Sequence, residues 1–104
     1  MHVVLIEVDT NGKSSEEGRQ LLRDQIVPAV QKLPGFRSGV WLNKSDSDHG
    51  LSLTIWDTRE QAEGMVSMFG PDSGDQAGGT VSRCEINKVT ASAFAFFSPG
   101  NLLI

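Results

Sequence analysis

The strongest constraint in the chain is a hairpin. Two apolar-rich stretches, about Phe36 to Asn43 and Leu51 to Trp56, flank the polar run Lys44-Ser45-Asp46-Ser47-Asp48. Both have the composition and boundaries of strands, joined by a loop of turn-forming residues. Side chains alternate along a strand, so a one-residue slip would move every residue to the other face, and the apolar set selects the register. Setting Val40 and Leu42 with Leu51, Leu53 and Ile55 makes one wholly apolar face, suited to a cover of helices. The opposite face then carries Arg37, Gly39, Trp41, Ser52, Thr54 and Trp56.

The remaining segments supply the cover. His2 to Asp9 is rich in β-branched residues and reads as a strand broken by Thr10-Asn11-Gly12. Ser14, with Glu17 three residues on, opens a helix as in a capping box. Leu22, Ile26, Ala29, Val30 and Leu33 give that helix one apolar stripe. Pro28 removes a backbone donor and should kink it, and Pro34-Gly35 ends it. After the hairpin, Thr58 and Gln61 form a second capping-box signature, followed by Ala62, Met65, Val66 and Phe69 on one side of a short helix. Gly70 to Gly79, rich in glycine and aspartate, is expected to be a mobile loop, and a last strand runs from about Val81 to Ala91.

This order is β-α-β-β-α-β. The predicted fold is α+β and ferredoxin-like: one four-stranded antiparallel sheet with two helices on one face, in a single domain over 1–104. In the first strand Val4, Ile6 and Val8 fit the helix side, leaving Val3, Leu5 and Glu7 opposite; in the last, Cys84 and Ile86 go inward, while Arg83, Glu85 and Asn87 join the mixed face. That mixed face, with Val3, Leu5 and two tryptophans, is too apolar for water. A second copy laid face to face covers it, so a homodimer through the sheet faces is expected. The tail, 92–104, is apolar at Phe94, Phe96, Phe97, Leu102, Leu103 and Ile104 and is expected to pack on the dimer.

Charge and composition narrow the partners. The net charge is −4, without a basic stripe, which disfavours nucleic acid and acidic membrane surfaces. No stretch approaches the length of a bilayer span, and Val3 to Ile6 is too short for a signal-peptide core. A cytoplasmic protein is expected. A single cysteine, Cys84, permits no intrachain disulfide and reads as a small buried hydrophobe. His2 and His49 are far apart, and no His/Cys/Asp spacing supports a metal. Ser14, Ser15 and Thr58 are better explained as caps than as nucleophiles. The glycines from 74 to 79 lack the lysine and spacing of a phosphate loop.

With Val27-Pro28-Ala29-Val30 leading to Pro34-Gly35-Phe36, and Ile55-Trp56-Asp57 opening the second helix at Thr58, the chain resembles a known family. It is similar over about Val3 to Ala91 to the dimeric α/β-barrel proteins that include the antibiotic-biosynthesis monooxygenases. The resemblance implies ferredoxin-like subunits paired through their sheets, with a cavity between sheet and helices. Some members oxidise aromatic polyketides or quinols with oxygen and no metal or flavin; others degrade haem, and many have no assigned activity. Haem-degrading members pair a strand-one asparagine with a tryptophan and a histidine. Here the first strand offers Glu7 instead, and Met65 stands where several members place a histidine on the second helix. Haem degradation is therefore disfavoured, and no cofactor or metal is expected.

The implied function is a cofactor-independent, monooxygenase-like conversion of a small aromatic or quinol-like substrate. Trp41 and Trp56 are candidate walls for a flat substrate, with Thr54 and Arg37 as polar anchors and Met65 alongside. The alternative for the tryptophans is dimer-interface filling. Glu7, flanked by Leu5 and Val8, is the candidate general base; its alternative is an ion pair with Arg37 or Arg83. The rival from another class is a non-catalytic homodimer that binds a small hydrophobic ligand or is purely structural. A cavity of about 300 Å³ or more beside Trp41, Trp56 and Glu7 would separate the two.

Overall fold

The hairpin forms, and the first strand pairs with it from the other side. A computed structural model describes residues 1–44, 48–74 and 76–93. Its elements are β1 (His2–Asp9), α1 (Ser15–Leu21), a π-helical turn (Leu22–Ile26), α2 (Val27–Gln31), β2 (Phe36–Asn43), β3 (His49–Trp56), α3 (Arg59–Phe69) and β4 (Thr80–Lys88). The strands lie in the order β2-β3-β1-β4, and every neighbouring pair is antiparallel. This is the α+β, ferredoxin-like arrangement read from the sequence. The tail calls on Phe94 to Ile104, and the hairpin loop at 45–47, lie outside the described residues.

Local chemistry accounts for the helix boundaries. Ser14 Oγ accepts the Glu17 N–H at 3.1 Å and opens α1. Thr58 and Gln61 form a reciprocal capping box on α3: Gln61 N–H donates to Thr58 Oγ1 at 3.1 Å, and Thr58 N–H to Gln61 Oε1 at 3.2 Å. Pro28 does not act as a simple kink. It has no N–H for the carbonyl four residues back, and the turn before it is widened so that the Val27 N–H reaches the Leu22 carbonyl. The proline then falls in the first turn of α2, where its missing donor has no partner to lose.

The core lies between the sheet and this helix layer. Val4 and Ile6 of β1 meet Ile26 of the π-turn, Val30 of α2, Trp56 of β3, and Ala62, Met65 and Phe69 of α3. Cys84 and Ile86 pack against the same cluster, as expected for the inward side of β4. A bulge in the β1–β4 pairing falls between Glu7 and Val8, beyond Cys84, so it leaves that assignment intact.

The hairpin, however, presents its other face. Val4 pairs with Thr54 and Ile6 with Ser52, while Gly39 pairs with Thr54 and Trp41 with Ser52. Cross-strand partners share a face. Trp41, Ser52, Thr54 and Trp56 therefore lie on the helix side, and Val40, Leu42, Leu51, Leu53 and Ile55 point outward with Val3, Leu5 and Glu7. The face expected to meet the helices is the outer one. Trp56 supplies the physical reason. It is the largest fully buried side chain, and its indole N–H donates to Thr54 Oγ1 at 2.8 Å. An outward register would move this buried bulk to the surface.

Gly70 to Gly79 departs from the free loop expected. Gly78 and Gly79 are buried, Ala77 packs on the core, and Lys13 Nζ donates to the Gly78 carbonyl at 3.3 Å. A Cβ on Gly79 would lie 2.1 Å from the Asp9 carbonyl oxygen, so a side chain there would force the strap off β1.

Candidate functional site

Four of the residues singled out from the sequence converge on the helix side of the sheet. Trp56 and Thr54 are completely buried, Met65 is nearly so, and Trp41, on the edge strand β2, is half-buried against the same cluster. Phe36 meets the Trp56 ring edge to face, with centroids 5.6 Å apart and planes at 73°. Trp41 lies across its own strand. The edge of its indole occupies the space where a side chain at Gly39 would be, and the Thr54 methyl borders that space from β3.

Local packing positions this cluster through one junction. Pro34-Gly35-Phe36 and Trp56-Asp57-Thr58, far apart in sequence, touch there. The Asp57 N–H donates to the Gly35 carbonyl at 3.1 Å. Gly35 has φ +81°, and a Cβ on it would collide with the Gln61 side chain that caps α3. Arg37 is mostly exposed and ion-paired with Asp57, so it serves this junction and stands apart from the buried tryptophan.

Glu7 lies on the opposite face. The sheet separates it from Trp41, Thr54, Trp56 and Met65, so the structure does not assemble the expected base with the expected walls. Its carboxylate is nevertheless only 13% exposed, with Lys44 Nζ at 3.2 Å and His49 Nδ1 at 3.4 Å. The carboxylate is ion-paired, as the alternative to a general base expects, but with Lys44 in place of Arg37 or Arg83. Arg83 faces Glu7 in register, yet its guanidinium bonds Glu85, which together with the charges of Glu85 and Glu7 holds the arginine above its ordinary pKa.

His2 is the titratable residue that sequence spacing did not reveal. It pairs with Trp56 across β1 and β3 and so belongs to the helix side. Its Nδ1 is buried with no hydrogen-bond partner among the described residues. Burial, then the positive charges of the N-terminus, Arg59 and Lys88, hold the imidazole below its ordinary pKa, which favours the neutral, proton-accepting form. Cys84, on the same side, is a thiol pushed up chiefly by burial, which keeps it protonated and unreactive.

Two open surface clefts lie elsewhere. One, of about 370 Å³, is lined by Lys13, Glu17, Gln20, Leu21, Asp24 and Gln25 along the first helix. The other, of about 270 Å³, is lined by Met1, Arg37, Ser38 and Ile55. Neither combines Trp41, Trp56 and Glu7. Among the described residues no group of three His, Cys, Asp or Glu side chains is arranged to hold a metal, and no helix is long and apolar enough to cross a membrane.

No family model matches the chain, and no curated protein matches it in sequence. Solved structures do match in fold. An ethyl tert-butyl ether D (EthD) family protein from Bacillus halodurans C-125 superposes with a TM-score of 0.59 at 18% identity, covering 86% of this chain and 99% of its own. A protein from Deinococcus radiodurans, provisionally named an antibiotic biosynthesis monooxygenase, gives 0.58 at 18% identity, over 94% of this chain and 100% of its own. A protein from Chloroflexus aurantiacus J-10-fl with the same provisional name gives 0.56 at 15% identity, over 90% and 98%.

Proposed function

We propose that this chain, whose fold is that of the antibiotic-biosynthesis-monooxygenase-like proteins of the dimeric α/β-barrel superfamily, is a cytoplasmic homodimer that handles a small aromatic or quinol-like compound on the helix side of each sheet. The observation that carries the ligand reading is the convergence of Trp41, Thr54, Trp56 and Met65 on that side. Aromatic and thioether side chains make a flat, polarisable wall, of which Trp41 reaches the surface, while Trp56, Met65 and Thr54, whose hydroxyl accepts the Trp56 N–H, lie buried behind it. The dimer reading rests on the outer face. Val3, Leu5, Leu51, Leu53 and Ile55 form a continuous apolar strip, extended by Val40 at 53% and Leu42 at 44% exposure. A strip of this kind calls for a partner, and a second copy of the same face is self-complementary.

The reaction we favour is oxygenation without metal or flavin. An activated carbon surrenders a proton, the carbanion passes one electron to oxygen, and the resulting radical pair joins in a C–O bond. The protonated peroxide loses water to leave a carbonyl, so one oxygen atom enters the product and the other leaves as water. With Glu7 across the sheet, His2 takes over as candidate proton acceptor. Oxygen uptake tests this. A panel of small hydroquinones and anthrones should include one consumed well above the protein-free rate, with the excess lost in His2→Gln. Uptake at the protein-free rate across the panel would overturn the catalytic part.

The second reading, a non-catalytic ligand-binding or structural homodimer, is favoured by one observation. Where the cavity is expected, between sheet and helices, Trp56 and Thr54 are completely buried core side chains. Under this reading a compound binds and leaves unchanged.

A further inference from the structure

Gly39 occupies the middle of an edge strand, where glycine weakens pairing and offers nothing to pack. Its backbone is not among those in the left-handed region, so conformation does not demand it. The demand is spatial. An ideal Cβ at 39 would lie 2.8 and 2.9 Å from two atoms of the Trp41 six-membered ring and 3.2 Å from the Thr54 methyl. The position is a slot floored by backbone and a methyl group, and an indole from the same strand fills it.

Two tryptophans sharing this face differ in how they are held. Trp56 is fully enclosed, its N–H is bonded to Thr54, and Phe36 is set against its ring. Trp41 is half-buried, and among the described residues no hydrogen bond from its indole N–H is formed. Moving Trp56 would break a buried hydrogen bond, whereas moving Trp41 returns a partly exposed ring to water.

We propose that Trp41 is a movable lid that occupies the ligand position in the empty protein, and that the ligand is a flat one- or two-ring aromatic of about the size of the indole it displaces. The proposal rests on the helix-side ligand reading above and adds the occupant, its size and the residue that yields to it. A ligand competing with a closed lid binds more weakly by the fraction of time the lid is open. Removing the lid therefore strengthens binding, and with the lid gone, filling the slot from below weakens it.

The experiment uses the full chain and 1-naphthol as the probe. Calorimetric titration gives the affinity. Protein labelled with 5-fluorotryptophan gives one fluorine resonance for each tryptophan, assigned with Trp41→Phe. Saturable binding to the unmodified protein is expected, with the Trp41 resonance shifting strongly and the Trp56 resonance little. Trp41→Ala should bind about tenfold more tightly or better, as a lid open for about a tenth of the time or less requires. Adding Gly39→Ala to Trp41→Ala, where no lid remains to be displaced, should weaken binding several-fold relative to Trp41→Ala alone. If Trp41→Ala binds and the unmodified protein does not, the site is merely a void made by truncation, and the lid is overturned. Binding that leaves the Trp41 resonance unmoved also overturns the lid but leaves the helix-side ligand reading standing. If neither protein binds 1-naphthol, that underlying reading fails as well.

Discussion

At Thr54 a single hydroxyl decides the fate of a large side chain. It is completely buried in mid-sheet and accepts the indole N–H of Trp56, which is itself without exposure. Valine matches threonine in shape but offers no acceptor. Thr54→Val should leave the indole N–H buried and unpaired, a loss of about 1–3 kcal/mol. Urea unfolding checks this: the midpoint should fall with the slope unchanged, and an unchanged midpoint would mean the indole finds another acceptor. Glu7 teaches a related lesson. Its apolar neighbours in sequence suggested a partly buried carboxylate, and it is one, but Lys44 and His49 meet it on the outer face. Neighbours along a strand point to alternate faces, so they say little about which charges lie across from it.

Among the elements, the first helix shows how a chain accommodates a residue that its regular structure forbids. A proline in a helix interior typically costs about 3 kcal/mol or more. Here the π-turn over Leu22–Ile26 absorbs it and lets Ile26 and Val30 both reach the core. Pro28→Ala should consequently change stability by no more than about 1 kcal/mol, the scale of the lost restriction on the unfolded chain. Chemical denaturation of the variant measures this; a gain of several kcal/mol would show that the proline strains the helix after all. The hairpin marks the limit of element-level reasoning. Periodicity located both strands, yet it assigned the wrong face to the helices, because each face had a claim. One was uniformly apolar, and the other carried two tryptophans, with a threonine two residues before Trp56 on β3 to accept its indole N–H.

For the whole molecule, inverting the hairpin strengthens the case for a dimer while changing its surface. The expected interface was a mixed face bearing tryptophans; the outward face is instead an aliphatic strip running from Val40 and Leu42 through Leu51, Leu53 and Ile55 to Val3 and Leu5. Leu53 stands near its middle, between Val40 and Leu5. In Leu53→Asp a two-fold interface would bury two carboxylates close together, and association should weaken by at least about a hundredfold. Sedimentation velocity should show a dimer for the unmodified protein and a monomer for the variant, with far-ultraviolet circular dichroism unchanged. Two monomers, or two dimers, would rule out this face as the interface.

The order of elements, the two helix N-caps at Ser14 and Thr58 and the apolar stripe of the first helix were legible along the chain because they depend on residues within a few positions of one another. The likeness to the monooxygenase-like fold was legible for a related reason: its two signatures, around Pro34-Gly35-Phe36 and Trp56-Asp57-Thr58, are each local. That they touch, with the Asp57 N–H on the Gly35 carbonyl and Phe36 against Trp56, is a fact of the assembled sheet. Tertiary structure alone decided which face of the hairpin meets the helices. It thereby placed Trp41, Thr54, Trp56 and Met65 together and Glu7 beyond the sheet. The physical reason is that alternation along a strand is symmetric between two faces. The symmetry is broken by long-range packing, here by β1, whose Val4 and Ile6 meet the helices and bring Thr54 and Ser52 to the same side.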